Sequence, residues 1–218
     1  MAIISAKKQL SEIILSHPEV ITLINRFDIT LGIGDKTLEA ICKEKNLDCD
    51  FFAMILNTYI NEDFFPEKNL KLFDAQTIIN YITQTYHYYT HYMLPNIERH
   101  FNLLIAHSGH NNNLELMRQF FLELKNDIMQ AINNDIENLF PSILALNNNS
   151  DSHHKDVIIN PINVVIEDKI NDLKNMFIIH LTGKYDLNLC YAVISAIIAF
   201  EKDFKQNNRI RNRILPLI

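Results

Sequence analysis

The chain reads as all-α: a small N-terminal helical domain (1–62), a linker (63–73), and an up-down-up-down bundle of four long helices (74–218). Three observations predict this. Only 4 Gly and 6 Pro occur in 218 residues, too few turn formers for an all-β protein. Apolar residues recur at helical spacing, as at Leu38, Ile41 and Cys42, and at Ile78, Ile79, Ile82 and Tyr86. Long periodic stretches alternate with short polar loops, such as HSGHNNN (107–113) and NNNSDSHHKD (147–156), which is the layout of a helix bundle. With 48% apolar residues the chain has enough material for a core.

The elements follow in order. LSEIILSHPEVITLINRF carries Ile13, Ile14, Val20, Leu23 and Ile24 on a helical pattern. It breaks at His17-Pro18, because the residue before proline avoids helix. Gly32 and Gly34 make a loop. Asp35 or Thr37 then caps TLEAICKEK, and Asp48 or Asp50 starts FFAMILNTYI. The stretch FFAMILNTYINEDFFP reads either as a docking surface or as the core between the two domains. The first long helix is expected over about 74–105, kinked or broken at Pro95. The second is expected over about 114–139, stopping at Pro141. The third begins near Pro161 or Ile162 and runs to about Leu181. TGKYD turns the chain, and the fourth covers about 187–214.

Composition excludes several functions. A net charge of -6 is wrong for nonspecific nucleic-acid binding, which needs a basic field. No apolar run reaches 18 residues, so no membrane span is expected. The opening MAIISAKKQLSEII lacks the order of a signal peptide. Three cysteines, Cys42, Cys49 and Cys190, are few and odd in number, which suits reduced thiols in a cytoplasm. Cys42 and Cys49 are seven apart and read either as a metal or redox pair or as core side chains.

NLFP ends the second long helix and RILP ends the fourth. A helix ending in Phe-Pro or Leu-Pro, with His and Glu ten and six residues earlier, is the pattern of hemerythrin-like (HHE) bundles. The chain resembles the iron–sulfur cluster repair di-iron proteins of that family over nearly its whole length. Its segment FDITLGIGDKTLEAICKEKNLD is similar to their N-terminal domain, although the family's Cys-Cys pair falls on Leu31 and Gly32. The resemblance implies a carboxylate-bridged iron pair held by His and Glu converging from several helices.

Carried over one position at a time, the first-helix His falls on His87 in YHYYTHYMLP. On the second helix the His falls on Ala131 and the Glu on Asp135. On the third the His falls on Asn163. On the fourth the His falls on Asn207 and the Glu on Arg211. His87 is kept and Asp135 is one methylene shorter than Glu. Ala131, Asn163, Asn207 and Arg211 are vacated ligand positions, and a guanidinium has no lone pair to offer a metal. Arg211 is a candidate partner for Asp135 or Glu167.

Two functions remain. One is a degenerate member without the di-iron centre, acting as a binding or regulatory protein with a protein partner, possible as a homodimer. The other is a working member in cluster repair or nitrosative and oxidative stress response. Its site would be rebuilt from His87, His91, Asp135, Glu137 and Glu167, with iron as cofactor. A third form, a small-molecule pocket, would show as a buried polar cavity near Asn163, Asn207 and Arg211.

Other features read as ordinary surface. His87, His91 and Glu98 share a helical face, and form either a mononuclear site or part of a polar aromatic band. His107, His110, His153 and His154 sit in polar loops. The run KDFKQNNRIRNR (202–213) reads as a solvated last helix or as an acidic-partner surface. Gly32-Ile33-Gly34 lacks the context of a phosphate loop.

Overall fold

A computed structural model describes residues 4–61, 63–148 and 162–215. His153, His154 and Pro161 lie outside these residues. The described chain is helical without a strand, and one isolated bridge joins Gln9 to Thr37. No helix among the described residues is long and apolar enough to cross a membrane.

In chain order the helices are α1 (Leu10–Ser16), α2 (Val20–Asn25), α3 (Leu38–Lys45), α4 (Cys49–Ile60), α5 (Glu67–Leu70) and α6 (Ala75–Tyr88). A π-turn (Tyr89–Met93) leads into α7 (Leu94–His107). Then come α8 (Asn112–Asn134), a second π-turn (Asp135–Leu139), α9 (Phe140–Asn148), α10 (Ile162–Ile179) and α11 (Leu187–Ile214). The chain forms two compact units. One is Met1–Thr85 with Arg209–Ile218, and the other is Tyr86–Asn208.

In the first unit, His17-Pro18 separates α1 from α2 as its sequence dictates. Thr37, rather than Asp35, caps α3, its hydroxyl accepting from the Ala40 N–H at 3.2 Å. Asp48, rather than Asp50, caps α4 through the Phe51 N–H at 2.9 Å. Leu10, Ile13, Leu23, Leu38, Phe52 and Ile55 are fully buried. Burial of each such side chain contributes about 1.5–3 kcal/mol. Phe51, Phe52, Leu56 and Tyr59 are buried too. The FFAMILNTYI part of the aromatic stretch is therefore core and is not an outer docking face. Phe65 lies under the guanidinium groups of Arg209 and Arg213 at 5.2 and 4.9 Å.

In the second unit, the pairings run in opposite directions along neighbouring helices. Between α7 and α8, Asn102 meets Arg118 and Glu98 meets Lys125. Between α8 and α10, Asp127 meets Lys169, and the start of α8 meets the end of α10 where Asn113 accepts from the Thr182 N–H. Between α10 and α11, Glu167 meets Asn208 and Lys174 meets Glu201. Tyr89 packs on Phe200 and Phe204 of α11, and Ser108 after α7 accepts from the Asp186 N–H. Phe101 stacks on Phe121 and tilts against Phe177, joining α7, α8 and α10 through one buried ring.

The expected stop at Pro141 is corrected. The helical path continues through both Pro95 and Pro141. Each proline lies at the second position of the following helix, directly after a π-turn of five residues. The Leu94 N–H reaches the Tyr89 carbonyl and the Phe140 N–H reaches the Asp135 carbonyl, five residues back instead of four. A proline has no N–H, and its ring collides with the carbonyl four residues before it. Widening the preceding turn relieves that collision without ending the helix.

Candidate functional site

Each π-turn adds a residue to its helix and so changes which side chains face inward. Around the first, Tyr86, Tyr89 and Met93 are buried, whereas His87 and His91 are exposed. The two imidazoles stack on each other with centroids 4.0 Å apart. The Nδ1 atom of His91 lies 2.9 Å from the Thr90 hydroxyl and 3.1 Å from the His87 carbonyl. Glu98, seven residues on from His91, pairs with Lys125 at 2.6 Å. His107 and His110 are exposed, as their loop predicts.

Around the second π-turn, Asp135 is 1% exposed while Glu137 is exposed. Asp135 accepts a short hydrogen bond from the phenol of Tyr86. The Tyr86 ring stacks on Phe140 with centroids 6.0 Å apart and planes 11° from parallel. Tyr86 therefore holds both ends of the second π-turn, Asp135 by its hydroxyl and Phe140 by its ring. Ala131, one turn before Asp135, is buried and offers only a methyl group.

On α10, Asn163 is buried and Glu167 is half-buried one turn later. Asn208 of α11 bridges them. Its carbonyl oxygen accepts from the Asn163 amide at 3.1 Å, and its own amide donates to Glu167 at 2.7 Å. Asn207, next to it, is 1% exposed, and neither atom of its amide has a hydrogen-bond partner among the described residues. Buried polar groups are almost always paired, so Asn207 is an exception within this polar set.

The run 202–213 is solvated only in part: Lys205 and Arg213 are exposed. Asp203, Gln206, Asn207, Asn208 and Arg211 are all buried, as is Glu201 just before it. Arg211 donates to the Asn212 side chain at 2.8 Å, and Arg209 donates to the Phe64 carbonyl at 3.2 Å. The dipole argument placed these cations at the end of the helix correctly. It did not anticipate that one of them, Arg211, would be buried.

Of the residues singled out in the sequence, Asp135 lies in a buried hydrogen bond, and Asn163 and Glu167 share one bridge. His87, His91 and Glu137 face solvent. Among the described residues, no three His, Cys, Asp or Glu side chains converge in a metal-binding group. Sequence reasoning missed Tyr86 and Asn208. Tyr86 was legible as part of the stripe with Ile82, but a stripe does not say whether a phenol meets an acid. Asn208 was hidden by its neighbour, because the resemblance puts the histidine position on Asn207. No model of a known protein family matches the chain, and no curated protein sequence matches it.

Proposed function

We propose that the chain is a hemerythrin-like helical protein in which hydrogen bonds between helices replace a di-iron centre, and that it works as a cytoplasmic binding or regulatory protein. In this reading the opposed pairings of the second unit form an up-down-up-down four-helix bundle. The observation that carries the reading is the pairing of Asp135 with Tyr86. Asp135 stands where the resemblance expects a bridging or terminal carboxylate, and a tyrosine hydroxyl occupies it instead.

The remaining donors support the same reading. Ala131 has no lone pair, the Asn163 amide donates to Asn208, and Glu167 accepts from Asn208. His87 and His91 are exposed. This set does not fit two irons, which need several imidazole and carboxylate lone pairs converging on one point. What it does supply is a hydrogen-bonded interior, which fixes helix register without metal.

Iron analysis and a visible spectrum of the full chain, expressed in iron-rich medium, test this. The expected protein is colourless, with a melting temperature that neither iron nor chelator moves. An iron pair in each chain, with oxo-bridge absorption, overturns the proposal.

A further inference from the structure

We infer that Cys42 and Cys49 are an oxidation site, a dithiol that closes to a disulfide between α3 and α4 when it meets a low-molecular-weight disulfide. The residues do not lie on one continuous helix, as their spacing of seven would suit. Cys42 is in α3, Cys49 is the first residue of α4, and the chain reverses between them. Asn46 makes the reversal in the left-handed region at φ +54. The Leu47 N–H closes it on the Cys42 carbonyl at 2.8 Å, and the Asp48 cap fixes the start of α4. Both backbones are thus held by helix caps on the two sides of one short turn, and Cys49 is near enough to help raise the Cys42 thiol. Both are free thiols.

The two sulfurs differ in access, and this sets the order of events. Cys42 is 2% exposed, whereas Cys49 is half-buried and reachable. The Cys49 thiolate attacks one sulfur of the small disulfide. A mixed disulfide forms on Cys49, and the first small thiolate leaves. Cys42 then attacks the Cys49 sulfur, the Cys42–Cys49 bond forms, and the second small thiolate leaves. The two protons lost by the protein thiols end on the two released thiols. The protein is oxidised by two electrons and the small disulfide is reduced by two.

Burial pushes the Cys42 thiol up to about 12, helped by the Cys49 thiol and charge and then by the charge of Asp48. Capping Cys49 in the mixed disulfide removes the Cys49 contributions. Burial, the largest cause, remains, so the closing step should quicken as pH rises. The loop this bond closes forms one wall of a groove of about 650 Å3, through Lys45, Asn46, Leu47 and Asp48. Oxidation therefore pins that wall.

The test treats the reduced full chain with oxidised glutathione, then alkylates it in denaturant and maps the cysteines by mass spectrometry without reduction. Alkylated thiols should fall from the three in the sequence to one, Cys190. The Cys42 and Cys49 peptides should be recovered joined, and dithiothreitol should restore all three thiols. Cys42→Ser should retain glutathione on Cys49. The inference is overturned if wild type keeps glutathione on Cys49 with Cys42 alkylated, if all three thiols remain alkylated, or if Cys190 is joined to either. The wild-type map decides the matter even if the variant fails to fold.

Discussion

The phenol of Tyr86 donates to the carboxylate of Asp135, 49 positions later in the chain, and both side chains are buried. This bond ties the last turn of α6, three residues before the first π-turn, to the first residue of the second π-turn. The neighbourhoods of the two widened turns are therefore linked by a hydrogen bond to a carboxylate, a stronger type than a bond between neutral groups.

Replacing Tyr86 by Phe keeps the ring against Phe140 and removes only the hydroxyl. Loss of a hydrogen bond to a charged group costs about 1.5–3 kcal/mol. Urea denaturation of Tyr86→Phe should show a loss of that size. Asp135→Asn, which can still accept from the phenol, should lose less. Equal stability of Tyr86→Phe and wild type would remove this bond from the account.

Asn207 and Asn208 are neighbours with opposite expected signs. The Asn207 amide is buried with neither atom paired, so an apolar residue of similar size removes a desolvation cost. Asn207→Leu should be neutral or stabilising. Asn208→Leu breaks the bridge to Asn163 and Glu167 and should lose about 2–4 kcal/mol. Thermal melts of both variants check the order, and a larger loss at Asn207 would reverse the assignment.

Asn111 joins two loops. Its side-chain oxygen caps α8 through the Asn113 and Leu114 N–H groups, while its amide donates to the carbonyls of Thr182 and Lys184 at 3.0 Å. Asn111→Ala removes a cap worth about 1 kcal/mol and two further bonds worth about 1 kcal/mol each. Asn111→Asp keeps the cap and loses the donor, so it should fall between Ala and wild type. Hydrogen exchange should quicken in both loops, at 108–114 and 182–186.

Glu201 gives the second unit a specific acid sensitivity. Burial raises its carboxyl, but Lys174 at 2.6 Å and Lys205 at 2.7 Å outweigh this and hold it below the ordinary value. A carboxyl lowered by folding contributes stability that is fully present above its unfolded value. That contribution is lost as pH falls through the lower folded value. Stability of wild type minus Glu201→Gln should therefore be constant from about pH 6 to 8 and shrink below about pH 4. A difference that does not change with pH would rule out this role.

Much of the fold was written in local pattern. Thr37 and Asp48 cap helices because an oxygen-bearing side chain precedes an apolar periodic run. Pro18 divides α1 from α2 for a steric reason confined to two residues. The turn at Gly32 and Gly34 needed the left-handed region, which both occupy at φ +89 and +66. Pro95 and Pro141 were legible as interruptions, but not as π-turns. Whether a helix ends at a proline or widens before it depends on the packing of the turns on either side, and that packing is not local.

The sequence by itself determined the helical class, the break at Pro18 and the apolar stripes, and narrowed each cap to two candidates, because each follows from the conformational preferences of a few adjacent residues. It also placed Ala131, Asp135 and Asn163 at positions of chemical interest through a resemblance. Only the tertiary structure decided what those positions touch. It turned His87 and His91 to solvent, set Asp135 on Tyr86, bridged Asn163 and Glu167 through Asn208, and placed Cys42 and Cys49 on the two sides of one turn. Side-chain direction is set by helix phase, and one extra residue in a π-turn resets that phase. No pattern of residue types reports such a change until the helices are packed.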